Sequence, residues 1–228
     1  MREVQRSSRM ADNAAPARCA ADSGTNRLNF ELTAAAFIFV LTLLVSLAGL
    51  YVQPVILEKA VLRPYWLVRR REYEKLVTSG LVHADLMHLG FNMLTFYFFA
   101  FPLERRIGSL PFVLLYLLGL VASELGTYVK HRDNPDYATL GASGAISAVL
   151  FAYIVYYPDT ELFLFLVPIP IPAPLFAVAY LAYTLWSARQ ARGRINHDAH
   201  LGGALTGLAF VALMEPNAYR ELLTTLFG

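Results

Sequence analysis

The sequence predicts an all-α membrane protein, a bundle of six spanning helices, on three observations. Apolar runs of 15 to 20 residues recur at about 33–52, 86–103, 110–129, 140–157, 174–188 and 199–214, long enough to cross a hydrocarbon core as helices. Charged residues gather between these runs rather than inside them. With 57% hydrophobic and 16% charged residues and a mean hydropathy of +0.46, the chain has too little charge to coat a soluble domain of 228 residues.

Residues 1–30 are rich in Ala, Arg, Ser, Asp and Asn without apolar periodicity, the pattern of a disordered polar tail. The membrane domain is expected over 31–216. After its first span, residues 53–82 mix Lys59, Arg63, Arg69, Arg70, Arg71 and Lys75 with Tyr65, Trp66 and Tyr73, a composition suited to the headgroup layer. This segment reads as a long interfacial loop. Between the fourth and fifth runs, 167–174 reads VPIPIPAP, where alternating prolines prevent helix and predict an extended turn at the membrane border. The competing reading, a broken transporter helix that exposes carbonyls to an ion, finds no internal repeat to support it. Residues 217–228 form a short C-terminal tail. Orientation does not follow from charge: the first, third and fifth loops hold more Lys and Arg than the tails and the even loops, so the basic residues favour no clear side.

The net charge of +2, with basic residues scattered among short connections, excludes a nucleic-acid partner. The single cysteine, Cys19, cannot form an intramolecular disulfide. No CxxC or His/Cys cluster suggests a metal, and no cofactor is expected. The partner implied by composition is the lipid bilayer.

Inside or at the ends of the runs stand His88, Asn92, Glu124, Ser143 and His200. A polar group facing lipid is costly, so each must face protein or water. With short loops, spans two, four and six start on the same face of the membrane. His88 and Asn92 near the start of span two, Ser143 near the start of span four and His200 at the start of span six therefore share one depth. His88 and Asn92 are four residues apart and point the same way on a helix.

Gly141-Ala142-Ser143-Gly144 sets a hydroxyl at a helix start, where free N–H groups and the helix dipole stabilise an oxyanion. The competing reading of Gly-x-Ser-Gly is a small-residue packing face. His200 is followed by Gly203 and Gly207 on the same helical face, and these glycines let a neighbouring backbone approach closely. If that neighbour is span four, Ser143 and His200 come together as nucleophile and general base; taken alone, His200 also reads as a packing or interfacial histidine. His83 is placed to brace the loop before His88. His131 and His197 flank charged residues and are expected to be solvated. Glu124 is expected to hydrogen-bond a neighbouring helix, and Asp198, two residues from His200, faces elsewhere and is not assigned as a triad acid.

Taken jointly, His83-Ala84-Asp85-Leu86-Met87-His88-Leu89-Gly90-Phe91-Asn92, Gly141-Ala142-Ser143-Gly144 and Ala199-His200 with Gly203 and Gly207 resemble the rhomboid family of intramembrane serine proteases. Leu103-Glu104-Arg105-Arg106-Ile107-Gly108-Ser109 is similar to that family's second-loop pattern. The resemblance runs from about residue 30 to 214. It implies a six-helix bundle with a Ser–His dyad, Ser143 as nucleophile and His200 as base, opening to water on the noncytoplasmic side. His88, Asn92 and the Ser143 backbone N–H would form the oxyanion hole, with His83, Gly141, Gly144, Gly203 and Gly207 in support.

The activity so implied is cleavage of single-span transmembrane proteins through an acyl-enzyme, in a multi-pass protein of a bacterial plasma membrane with its N-terminus in the cytoplasm. The alternative is an inactive relative that binds membrane clients without cutting them. Two positions depart from the family pattern: Ser147 stands where an aromatic residue often packs on the catalytic histidine, and Tyr73-Glu74-Lys75 replaces the usual Trp-Arg pair of the first loop.

Overall fold

A computed structural model describes residues 33–164, 167–190 and 195–227. The described residues are all-α apart from one hairpin. Helix α1 (Ala34–Leu47) runs into a π-helical turn (Ala48–Val52) and is followed by three short helices, α2 (Val55–Ala60), α3 (Pro64–Arg69) and α4 (Lys75–Thr78). Then come α5 (Leu86–Ile107), α6 (Ser109–His131), α7 (Ser143–Tyr156), the strands β1 (Glu161–Leu164) and β2 (Val167–Pro172), α8 (Ala173–Gln190), α9 (His197–Met214) and α10 (Ala218–Phe227). The expected tail and the 1–30 reading with Cys19 lie outside the described residues. Three helical segments, Ala34–Val52, Leu86–Ile107 and Ser109–His131, are long and apolar enough to cross a membrane, and Ser143–Tyr156 is a shorter apolar helix. This is an integral membrane protein. Helices α8 and α9 reach 18 residues each, but α9 opens on His197, Asp198 and His200 and α8 ends on Arg189 and Gln190, which lowers their apolar character.

The middle of the bundle is α7, buried along almost its whole length between α5, α6 and α9. Its side chains are small toward its start (Gly144, Ala145, Ser147, Ala148) and bulky toward its end (Phe151, Ile154, Tyr156). The start therefore admits neighbouring backbones, and the end fills a conventional core. That core joins Phe96, Phe112 and Tyr116 to Ala35, Val155 and Val211. Phe96 meets Tyr116 edge to face at 5.8 Å and Phe112 at 6.2 Å.

Local chemistry sets the helix ends. Asp85 caps α5 by accepting from His88 N–H at 2.8 Å, and Thr33 caps α1 by accepting from Ala36 N–H at 3.1 Å. Gly108, at φ +86°, makes the one-residue corner between α5 and α6, a conformation that favours glycine. Beside it the buried Glu104 carboxylate accepts from Ala34 N–H (2.8 Å), Ala35 N–H (3.0 Å) and Ser109 Oγ (2.6 Å). One carboxylate thus satisfies open donors at the start of α1 and ties α1 to the α5–α6 corner.

Two segments are more ordered than their sequence readings. The interfacial loop is largely helical, in α2 to α4, with Arg69 over the Tyr65 ring at 3.9 Å and Arg70 over Trp66 at 3.8 Å. The segment read as a C-terminal tail carries α10, held by Tyr219 Oη donating to Leu208 O at 2.6 Å. The proline-rich segment is extended, as read, but as strand β2 paired antiparallel with β1, Leu162 facing Ile171. In a strand successive N–H groups point to opposite edges, so prolines at every second position strip donors from one edge only.

Candidate functional site

The site is built where three helix starts converge. Helix α7 begins at Ser143, after Gly141 at φ +116°. A β-carbon at Gly141 would lie 2.6 Å from His88 Cε1, so only glycine fits beneath that ring. Four contacts from the first-loop segment fix this approach. Leu62 and Thr139 exchange backbone hydrogen bonds at 3.0 and 2.9 Å, Gly141 N–H donates to Ser79 O at 2.9 Å, and Ala142 N–H donates to His83 Nε2 at 3.4 Å. The strip leading to Ser143 is therefore an edge laid against residues 62–83.

His83 is fully buried. Because Nε2 accepts from Ala142, the neutral ring carries its proton on Nδ1, which donates to Ser46 Oγ at 2.9 Å; Ser46 in turn donates to Leu81 O at 2.9 Å. Burial, then the neighbouring His88, pushes the His83 pKa down from 6.5 to about 3. It is neutral at physiological pH. The ring meets His88 edge to face at 4.9 Å.

Helix α9 reaches the site by backbone contact. A β-carbon at Gly203 would fall on the Gly144 carbonyl oxygen, and one at Gly207 on the Ala148 carbonyl oxygen. A β-carbon at Gly144 would collide with Ser123 Oγ of α6. These contacts set the start of α9 beside the start of α7. Ser143 and His200, both half-buried, line the same space. Among the described residues no hydrogen bond joins them; such pairs are often loose without substrate.

Two cavities meet at this point. One, of about 930 Å³, is lined by polar groups including Asp85, His88, Lys130 and His197. The other, about 820 Å³, lies between α5 and α8 and is walled by Phe91, Phe98, Phe99, Leu150 and Phe176, with the β1 strand at its end. Phe91, Asn92, Ser143 and His200 line both. Asn92 is buried, and its Nδ2 donates to His88 O at 2.9 Å. Among the described residues its Oδ1 has no hydrogen-bond partner.

Several residues read differently here than in sequence. His197, expected to be solvated, is buried, edge-on to Tyr183 at 5.5 Å and to His200 at 6.1 Å, because the first turn of α9 is covered by α8. His131 is half-buried and stacks on Tyr137 at 3.6 Å rather than standing in water. Glu124 is buried on α6 and hydrogen-bonds Thr127 and, at the start of α9, Asn196, the neighbouring-helix contact expected of it, while its Oε2 has no partner among the described residues. Asp198 pairs with Lys130 Nζ at 2.8 Å. Lys75, within the departing first-loop triplet, pairs with Glu72 at 2.6 Å.

Two positions escaped sequence reasoning. Asn196 caps α9 by accepting from Ala199 N–H at 3.0 Å and also bonds Thr127 of α6 at 2.9 Å and Thr139 at 3.2 Å. An Asn four residues before His200, with Asp198 in the first turn, is the N-cap signal that marks it. The other is Tyr180 of α8, whose ring faces His200 with 20° between their planes. Nothing in its sequence neighbourhood marks it.

Among the described residues no group of three His, Cys, Asp or Glu side chains is placed to hold a metal ion.

The architecture is that of a polytopic helical membrane protein whose polar residues converge at one end of a tightly packed bundle. The Rhomboid domain model matches residues 70–217, and the chain belongs to the rhomboid family. A Bacillus subtilis (strain 168) protein provisionally named rhomboid protease YdcA is 35% identical over 65% of this chain and 71% of its own length. Rhomboid protein 1, mitochondrial, of Saccharomyces cerevisiae is 33% identical over 59% of this chain and 40% of its own. The human Presenilin-associated rhomboid-like protein, mitochondrial, is 31% identical over 60% of this chain and 36% of its own. The chain thus spans well under half the length of these two mitochondrial relatives.

Proposed function

We propose that this protein is an intramembrane serine endopeptidase that cuts single-span membrane proteins within or beside their transmembrane segments. The observation that carries the reading is the position of Ser143 and His200 at the junction of a polar cavity and an apolar one. A peptide bond in a membrane segment needs both, an apolar groove for the segment and a path for water. In this reading the six helices α1, α5, α6, α7, α8 and α9 span the bilayer and α2 to α4 lie at the headgroups. We place the protein in a bacterial plasma membrane with the N-terminus cytoplasmic, as the family resemblance implies; the relatives include a Bacillus protein and mitochondrial ones.

The substrate segment unwinds in the groove between α5 and α8, because a helix hides its peptide bonds. His200 takes the proton of Ser143 Oγ, which attacks the exposed carbonyl. The oxyanion is held by the first N–H groups of α7, the His88 ring and Asn92, whose second amide hydrogen is not committed to His88 O. His200 returns its proton to the leaving amine, and water from the polar cavity then resolves the acyl-enzyme with His200 as base. No cofactor takes part.

Wild type and Ser143→Ala in liposomes with a generic single-span substrate test this, with products followed by gel and mass spectrometry. Cleavage by the wild type that is lost in Ser143→Ala is the expected result. Binding of substrates without cleavage by the wild type would replace the enzyme with a client-binding protein of the same fold.

A further inference from the structure

The departure at Ser147 has a counterpart in space. Ser147 stands one helical turn after Ser143 on α7, and its hydroxyl lies 3.0 Å from Tyr180 Oη of α8. The Tyr180 ring is close to parallel with the His200 imidazole, 20° between planes and 6.4 Å between centroids, within the range of offset aromatic pairs. The same ring rests on Phe151 of α7 at 5.4 Å and on Phe176 at 5.7 Å. A serine at 147 leaves the volume that this ring and its hydroxyl occupy. The imidazole is thus bounded by the face of Tyr180 on one side and the edge of His197 on another.

We propose that Tyr180 is the positioning residue of His200, an aromatic wall supplied from α8 and latched by the Ser147 hydroxyl in place of a larger side chain on α7. The inference rests on the reading of His200 as the base for Ser143. Its consequence is that the orientation of the base depends on where α8 stands. Helices α7 and α9 meet through backbone, whereas α8 meets the imidazole through a side-chain ring.

Kinetics of the full chain in liposomes with the same single-span substrate test the inference, together with thermal unfolding of each variant. Tyr180→Leu is expected to lower kcat about 10- to 100-fold, the scale of a misplaced catalytic group, with KM and Tm little changed. Tyr180→Phe and Ser147→Ala keep the ring and cut only the latch, so each is expected to lose about 2- to 5-fold in kcat, the worth of one ordinary hydrogen bond. Placing the aromatic back on α7, Ser147→Tyr with Tyr180→Leu, is expected to recover most of the loss. Unchanged kcat in Tyr180→Leu, or in both latch variants should Tyr180→Leu fail to fold, overturns the positioning role while Ser143-dependent cleavage stands. A rise in KM with kcat kept would place Tyr180 against the substrate instead and equally overturn it. Absence of any Ser143-dependent cleavage in the wild type removes the protease reading and this inference together.

Discussion

The α7–α9 seam and the α8 side of the site differ in what carries the contact. Along the seam, Gly203 and Gly207 lay one backbone on the carbonyls of Gly144 and Ala148, with no room for a single methyl group. On the α8 side, a cavity of about 820 Å³ separates helix from helix, and Tyr180 bridges to α7 and α9 by its side chain. The seam can hardly change without unfolding, because close-packed backbone has no rotamers to adjust. The α8 side can open by turning side chains. A site that must keep two reacting groups in register and still admit a bulky segment is well served by that division.

The largest expected effect is chemical. Ser143→Ala should lower cleavage by more than about 10³-fold while leaving unfolding unchanged, since loss of a nucleophile removes a whole covalent step. A variant that kept cutting would separate the seam from the reaction altogether. Next comes the seam itself. Gly207→Val should destabilise the bundle by about 3 kcal/mol or more, because overpacking against a backbone carbonyl cannot be relieved by rotamer change. Activity and Tm should fall together in that variant, unlike the Tyr180 series; a stable, active Gly207→Val would erase the contrast drawn above.

Sequence legibility follows the same division. Helices α1, α5, α6, α7, α8 and α9 overlie the six apolar runs with ends shifted by a few residues, and three of the helical segments are long and apolar enough to cross a membrane. The glycines at 203 and 207 announced a close backbone approach, because a glycine inside a spanning helix has few other uses. Side chains that act across helices were not legible. Tyr180 is one of 13 tyrosines, and no pattern around it says that Ser147 and His200 lie within reach. His197 looked solvated beside Asp198 because the cover from α8 is tertiary. The helices of the first loop were hidden by their brevity, since periodicity needs more than one turn to show.

Glu104 offers a smaller effect, remote from the chemistry. It lies 16 residues from His88 along α5, roughly 24 Å of helix. Glu104→Ala strands Ala34 and Ala35 N–H and should cost about 2–3 kcal/mol, the range for hydrogen bonds to a charged group. Thermal unfolding should show it, with kcat per folded molecule unchanged. A loss of kcat would mean that the far corner is coupled to the site.

The smallest effect is a slope. His83 lies outside the spanning helices, and its folded pKa, about 3, is below the ordinary value of 6.5. The unfolded chain therefore binds a proton between those values that the folded chain refuses, so the His83 contribution to stability is constant above about pH 6.5 and falls as pH drops below it. For one group the slope is about 1.4 kcal/mol per pH unit in that window. Unfolding measured from pH 7 to pH 4 should show this decline in the wild type. His83→Gln should be less stable at pH 7, since the link between Ser46 and the Ala142 amide is weakened, yet flatter toward acid. Equal slopes in the two proteins would mean that His83 takes up its proton in place, and that the strip leading to Ser143 is held by the backbone contacts with Leu62 and Ser79 alone.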